Sequence, residues 1–436
     1  MAWSMVVALG GFLFGFDTAV ISGAEKSIQQ YWHLSVFEHG LTISIALIGT
    51  VIGSLIGAKP SDRFGRKNTL YFVAAAYLVS SLGTALAISW PVFLCFRLLG
   101  GLGVGISSVI APVYISEVSP AERRGRLVGL FQFNVVLGIL ISYLSNYLIG
   151  QGGDASWRWM LAVQAFPSLL FLVLIYFIPE SPRWLILKKG DTARALEILR
   201  IINPLNCEAE LESIKNSDLH SNTGSGENLF SAQYKTPILL AAFFAFFNQV
   251  SGINAIIYYA PRIFEMAGLG AHSSLLSTVG IGLVNFLFTL VGINIIDKVG
   301  RRTLMLAGSV GLIISLFLVA ITFYSGHFNG FAIPLYMMLF IAFFAFSQGA
   351  VIWVFISEIF PNQVRAKGQT LGSSTHWIMA AIIAFGFPYL AETLGGAVTF
   401  SFFGVMMVLQ LIFVWRFMPE TKGRSLEQIE TAVIMH

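Results

Sequence analysis

Gly57–Lys67 reads GAKPSDRFGRK, and Gly292–Arg302 reads GINIIDKVGRR. Both follow G-x4-D-[RK]-x-G-R-[KR] and lie 235 residues apart. Two further segments return in the same order. Ser116–Arg124 (SEVSPAERR) reappears as Ser357–Arg365 (SEIFPNQVR) at an offset of 241, with Ser, Glu, Pro and Arg in register. Pro179-Glu180-Ser181 reappears as Pro419-Glu420-Thr421 at an offset of 240. Three motifs repeating in order at nearly one offset mean two homologous halves. In an apolar chain, two parallel halves are a common way to build a site at their interface.

The chain is apolar. Hydrophobic residues make up 56% of it and charged residues 11%, with a mean hydropathy of +0.77. Soluble domains carry about a quarter charged residues, so this chain belongs in a bilayer. A span needs ~20 apolar residues, and twelve such runs are present. They cover approximately 3–22, 39–58, 68–88, 91–115, 125–149, 158–178, 237–261, 273–296, 303–324, 331–356, 367–391 and 396–417. The predicted fold is an all-α membrane protein with twelve transmembrane helices in two six-helix pseudo-repeats. Residues 1–178 and 236–418 are the two bundles, 179–235 a short intracellular helical linker, and 419–436 a cytosolic tail. The first span has no basic leader and carries an acid, which argues against a cleavable signal peptide.

Even-numbered loops and the tail hold 22 of the 26 Lys and Arg. By the positive-inside rule those loops and both termini are predicted to be cytoplasmic. The net charge of +4 reflects this asymmetry, and no nucleic-acid partner is expected. Cys95 falls in a span and Cys207 in the linker, so no disulfide framework is predicted. In the linker, Asp191 is placed to cap an amphipathic helix (Ala195, Leu196, Leu199, Ile202), Glu208–Asn216 can form a second, and Ser217–Asn228 reads as a flexible connection.

Three groups of residues carry chemistry. The first is the repeated loops, where Asp62 and Asp297 sit beside Arg66 and Arg301. Glu117 and Glu358 end later spans near Arg124 and Arg365, and Glu180 and Glu420 occupy the third repeat. Basic residues alone would serve topology, but acids contribute little to it. Acids duplicated at fixed spacing therefore predict a cytoplasmic gating network of ion pairs. The second group is Asp17 in FGFDTAVISG and Arg97 in FRLLGGLG. A carboxylate at mid-span costs ~2.5–3.5 kcal/mol. Beside Arg97 the acid keeps its charge, and away from it desolvation favours the protonated form. The pair is either a static ion pair or a proton-coupling site. The third group is Gln132, Asn248, Gln249, Asn254, Asn285 and His376 inside spans, with Trp353 and Trp377. Amides both donate and accept, which suits a polyhydroxyl ligand, and indoles offer flat faces for sugar C–H groups. Ser251-Gly252 can loosen the helix between Gln249 and Asn254. Interhelical hydrogen bonding is the plainer alternative for each amide.

GGLGVG at 100–105 follows no strand and reads as close helix packing. The seven His are scattered without ligand spacing, and no nucleotide loop is present. Neither a metal, a cofactor nor an enzymatic activity is expected.

Taken together, the paired D-R-x-G-R-[KR] loops, ISEVSPAERRGR, PESPRWL, SGINAIIYY and PETKGRS resemble the sugar porter family of the major facilitator superfamily, over essentially the whole chain. The resemblance implies alternating access to a monosaccharide in the bacterial plasma membrane. It also implies contacts from Gln132, Asn248, Gln249, Asn254, Asn285 and Trp353, with Phe14 and Tyr258 lining the cavity. Facilitative animal members carry a neutral residue at the position of Asp17, so the resemblance favours proton symport over uniport. A sugar sensor is the third alternative, disfavoured by the roughly 19 residues after the last span. Each chain is expected to work as a monomer. The sequence departs from the family at Asn248 (usually Gln), Phe16 (usually Tyr) and His376 (usually Gln or Asn), the last a group that can change charge near neutral pH. GAVIW at 349–353 lacks the family's prolines, which predicts a stiffer tenth span.

Overall fold

A backbone inside hydrocarbon must satisfy its own hydrogen bonds, and in the computed structural model the long apolar runs are helices. The structure describes residues 2–120, 123–153, 155–221, 229–328, 330–361 and 364–422, with the side chains at 124, 216–221 and 366 outside that description. In chain order the long helices are α1 (Ala2–Tyr31), α2 (Val36–Ile56), α3 (Arg66–Ala85), α4 (Trp90–Glu117), α5 (Arg124–Ile149), α6 (Ser156–Ile175), α7 (Ala232–Met266), α8 (Ala271–Val299), α9 (Arg301–Ser325), α10 (Ala332–Glu358), α11 (Arg365–Thr393) and α12 (Gly395–Phe417). Among the described residues, eleven helices are long and apolar enough to cross a membrane. The other is α3. Arg66, Lys67 and Asn68 open it and buried Thr69, Ser80, Ser81 and Thr84 dilute it. Its 20 residues still reach ~30 Å. Large apolar side chains such as Leu148, Phe166, Ile382 and Trp415 stand exposed, and lipid is the solvent that covers them. The molecule is thus an all-α, multi-pass integral membrane protein.

Packing divides the chain into two compact units. The first holds 1–17, 48–139 and 161–227, and the second 18–47, 140–160 and 228–436. In the first, α3 lies against α4 and the second part of α6. Glycines let α2 and α4 touch backbone to backbone. A Cβ at Gly53 would sit 2.4 Å from the Leu102 carbonyl, and one at Gly105 would sit 2.3 Å from that of Thr50. This is the packing role read from Gly100–Gly105. The linker helix Thr192–Ile202 begins at Asp191, whose carboxylate accepts from the Arg194 amide at 3.1 Å. Its Ala195, Ile198 and Leu199 pack on Trp184, Leu185 and Ile186. The next helix runs Cys207–Ser221. Residues 217–221, expected to be part of a flexible connection, therefore continue that helix; 222–228 and the tail beyond 422 lie outside the described residues.

In the second unit, α9 packs on α12, α8 and α9 on the first part of α10, and the first part of α7 on α11. Two of these helices are broken. α7 stops at Val250 and restarts at Ile253, across Gly252 at φ +87°. α10 stops at Phe346 and restarts at Gln348, across Ser347 at φ −106°, ψ −93°. The tenth span is thus interrupted despite its missing prolines. The Ser347 hydroxyl turns back to the Phe343 carbonyl (2.5 Å), and Gln348 Nε2 donates to Gln410 Oε1 (2.8 Å). Polar side chains thus replace proline as the cause of the break.

Candidate functional site

The repeated loops fold into one arrangement built twice. In the first unit, the Arg66 guanidinium makes a fork with Glu117 (3.0 and 3.1 Å) at the end of α4. It also reaches Asp62 at 3.1 Å. The Glu180 carboxylate accepts from the amides of Arg66 (2.9 Å), Lys67 (3.1 Å) and Ser181 (2.8 Å). It therefore sits on the positive N-terminus of α3. Burial pushes the Glu180 carboxyl up, while the amides of Ser181, Lys67 and Arg66 and the Arg66 charge pull it down. In the second unit, Arg301 pairs with Glu358 (2.9 Å) and Asp297 (2.9 Å). Glu420 accepts from the amides of Arg301 (2.9 Å) and Arg302 (3.1 Å), closing α9 in the same way. Thr421 adds a bond to Glu358 at 2.6 Å. Asp62 and Asp297 are exposed, and exposed pairs are worth little. The weight rests on Glu117, Glu358, Glu180 and Glu420.

Arg365 of the second motif behaves otherwise. Arg365 donates to the Phe360 carbonyl at 3.2 Å, while its neighbour Glu358 is taken by Arg301 and Thr421. The side chain of Arg124 lies outside the described residues. The glycine of each loop is fixed by geometry. Gly65 (φ +96°) and Gly300 (φ +100°) have a backbone that L side chains rarely adopt. A Cβ there would meet Glu180 Oε2 at 2.2 Å and Glu420 Oε2 at 2.5 Å.

Asp17 on α1 and Arg97 on α4 lie together in the first unit, 2% and 1% exposed. One hydrogen bond joins them, Arg97 Nη1 to Asp17 Oδ1 at 3.2 Å. Arg97 Nε and Nη2 have no hydrogen-bond partner among the described residues. Phe16 is buried beside the acid in sequence.

The break in α7 gathers amides in the second unit. Asn254 Nδ2 donates to Gln249 Oε1 (2.5 Å), and Gln249 Nε2 donates to Asn248 Oδ1 (2.8 Å). The same Nε2 lies 3.1 and 3.2 Å from the ring nitrogens of His376, so the imidazole presents an acceptor. His376 is packed by Trp353 and Trp377, with ring centres 4.8 and 4.9 Å away. Trp353 keeps more than a third of its surface open. Asn285 takes a 3.5 Å bond from Thr289, and Tyr258 is buried. Gln132 and Phe14 belong to the first unit, Phe14 beside Phe131 at 6.5 Å. Sequence reasoning missed one further cluster, Glu25, His39 and Arg262. Its only signal was a second acid eight residues after Asp17.

Comparison with known proteins follows the same lines. Residues 3–433 match the family described as Sugar (and other) transporter. The chain is 36% identical to the D-xylose-proton symporter of Escherichia coli (strain K12), over 98% of this chain and 94% of that protein. It is 37% identical to the glucose transporter GlcP of Staphylococcus epidermidis, over 97% and 95%. An inward-open structure of the xylose transporter XylE from E. coli matches with a TM-score of 0.88 at 34% identity, over 99% of both chains. Helix count, duplicated loop clusters and this likeness define a transporter with the major facilitator fold. The chain belongs to the sugar porter family, and its activity is sugar transport across a membrane rather than catalysis.

The loop geometry predicts that Gly65→Ala and Gly300→Ala each lose ~1–3 kcal/mol from backbone strain, with a further loss from displaced carboxylates. Gly190→Ala, at φ +69° in open space, should lose less. Thermal unfolding in detergent measures the three side by side, and equal losses would remove the carboxylate from the argument.

Proposed function

We propose that this protein carries a monosaccharide, xylose, glucose or a similar aldose, across the bacterial plasma membrane together with a proton. The observation that carries the reading is the buried Asp17–Arg97 pair. A guanidinium held by one hydrogen bond, with two nitrogens unpartnered, is loosely tied and can be drawn away. The carboxylate left among apolar and small residues then takes up a proton, because desolvation disfavours its charge. Swapping a cation for a proton keeps the net charge of the site near zero in both states. Relatives named as xylose–proton and arabinose–proton symporters, at 36% and 38% identity, support the same reading.

The sugar falls to the amides of α7 with His376 and the tryptophans. Gln249, Asn254 and Asn248 bond one another in the structure. A polyhydroxyl ligand can exchange for those bonds without leaving an amide unpaired before or after. The exposed face of Trp353 suits the C–H side of a ring. The duplicated Arg–Glu clusters hold helix ends at the cytoplasmic surface, and we assign them to closing that side in alternating access.

Replacing Gln249 or Asn254 with Ala should leave sugar hydroxyls unmet, at ~1–3 kcal/mol each. Affinity measured by sugar-dependent tryptophan fluorescence should fall roughly 5- to 150-fold. Normal binding by both variants would make the amides interhelical glue.

Asp17→Asn should abolish accumulation driven by a proton gradient while exchange between equal sugar pools survives. Exchange never returns the empty carrier, whereas net symport must load and release a proton each cycle. One charge moved through about 100 mV supplies ~2.3 kcal/mol, enough to concentrate sugar roughly fiftyfold. Uptake of labelled sugar into proteoliposomes reads this directly. Concentration persisting in Asp17→Asn would place the coupling elsewhere, and a wild type that only equilibrates would make the protein a uniporter.

A further inference from the structure

At the end of the helices away from the basic loops, α1 runs on to Tyr31, well past the apolar run that ends near residue 22. The extension carries Glu25, 1% exposed. Arg262 of α7 grips its carboxylate with Nε at 3.0 Å from Oε1 and a terminal nitrogen at 2.9 Å from Oε2. His39 of α2, fully buried, places Nε2 at 2.8 Å from the same Oε2. Among the described residues neither His39 ring nitrogen nor Glu25 Oε2 makes a hydrogen bond, so the close contact is a bare juxtaposition of imidazole and carboxylate. Arg262 also reaches Gln29 of α1 and, at 3.4 Å, Glu392 of α11. Lys26 pairs with Glu265. The Tyr259 ring stands 5.9 Å from His39, and its hydroxyl is given to the Ala384 carbonyl. Glu38, next to His39, is engaged by Ser35. A cavity of about 460 Å³ lies over the cluster, lined by Lys26, Gln29, Arg262, Glu265 and Glu392.

Glu25 and His39 come from the first sequence repeat, and Arg262, Glu265 and Glu392 from the second. These bonds therefore tie the two repeats together at the outer end of the helices. Neither Glu25 nor His39 enters the sugar site or the Asp17 pair. A buried carboxylate at this depth is tolerable only while paired, so separating the repeats here has to bring water to Glu25. The charges also count unevenly: among the described residues, Glu25, Glu265 and Glu392 face only Arg262 and Lys26. A proton on His39, whose Nε2 stands 2.8 Å from Glu25 Oε2, completes the balance.

We propose that Glu25, His39 and Arg262 form a latch that closes the outer side of the carrier, with His39 taking up a proton as it closes. This proton differs from the one assigned to Asp17. It returns to the side it came from, so it makes outer closure depend on outer acidity without crossing the membrane.

The test uses the full chain without sugar, so its outcome does not depend on which solute is carried. Ala391, buried at the cavity wall, becomes a cysteine in a background lacking Cys95 and Cys207. A membrane-impermeant maleimide is added outside right-side-out vesicles at about pH 5.5 and about pH 8, which bracket histidine titration. Labelling rates are normalised to an exposed control cysteine, to remove the reagent's own pH dependence. We expect several-fold slower labelling at the acidic pH. His39→Gln, which keeps a donor but cannot take the proton, should label at one rate at both. Glu25→Gln should label roughly tenfold faster at both, since it leaves Arg262 without its buried partner. An unchanged pH dependence in His39→Gln would overturn the proton, and a wild-type labelling rate in folded Glu25→Gln would overturn the latch. Should Glu25→Gln fail to fold, the paired exchange of Glu25→Arg with Arg262→Glu decides the latch. Slow labelling in the exchange supports it, and fast labelling contradicts it.

Discussion

A carboxylate seated on the opening amides of a helix is the contact from which the rest of this structure is organised. Glu180 does this for α3 and Glu420 for α9. A helix start in or near a membrane leaves four amides unsatisfied, and here an acid from a distant loop supplies the acceptor. The loop can turn to receive it only because Gly65 and Gly300 adopt a backbone closed to other residues. The next residue, Arg66 or Arg301, then forks onto the acid that ends α4 or α10. In each copy a helix start, a helix end and a loop outside the spans become one body, with most charges satisfied away from lipid.

Against that duplicated frame, the unduplicated charges stand out. At the repeat offsets, Asp17 corresponds to residues 252–258 and Arg97 to 332–338, and neither stretch contains a charge. His39 likewise has no titratable counterpart at 274–280. Symmetric charges hold helix ends, whereas asymmetric charges sit where the two halves must do different things. The Asp17–Arg97 pair is the deepest of these. A single bond at 3.2 Å with two idle nitrogens fits a group that must let go, in contrast to the two-pronged grip of Arg66 on Glu117.

Much of this was legible in the sequence, because repeats and apolar runs are local or nearly so. The twelve runs predicted the helices, and the Asp191 cap and Ser251-Gly252 break were readable from a few residues. What was not legible depended on partners far apart in the chain. Glu358 sits seven residues from Arg365 yet bonds Arg301, 57 residues away, and Glu117 bonds Arg66, 51 residues away. The break in α10 was unreadable because a serine, supported by Gln348, Gln410 and Ser309, does what proline does elsewhere. The Glu25 cluster was missed because α1 outlasts its apolar run, so its charges read as loop residues.

The central claim is that sugar and proton move as one event. It is tested most directly by loading vesicles with a pH-sensitive dye and adding sugar outside, with no gradient imposed beforehand. The account predicts that the lumen acidifies, at a rate that rises with sugar concentration along the same curve as uptake of the label. Sugar entering at that rate while luminal pH stays flat would contradict it.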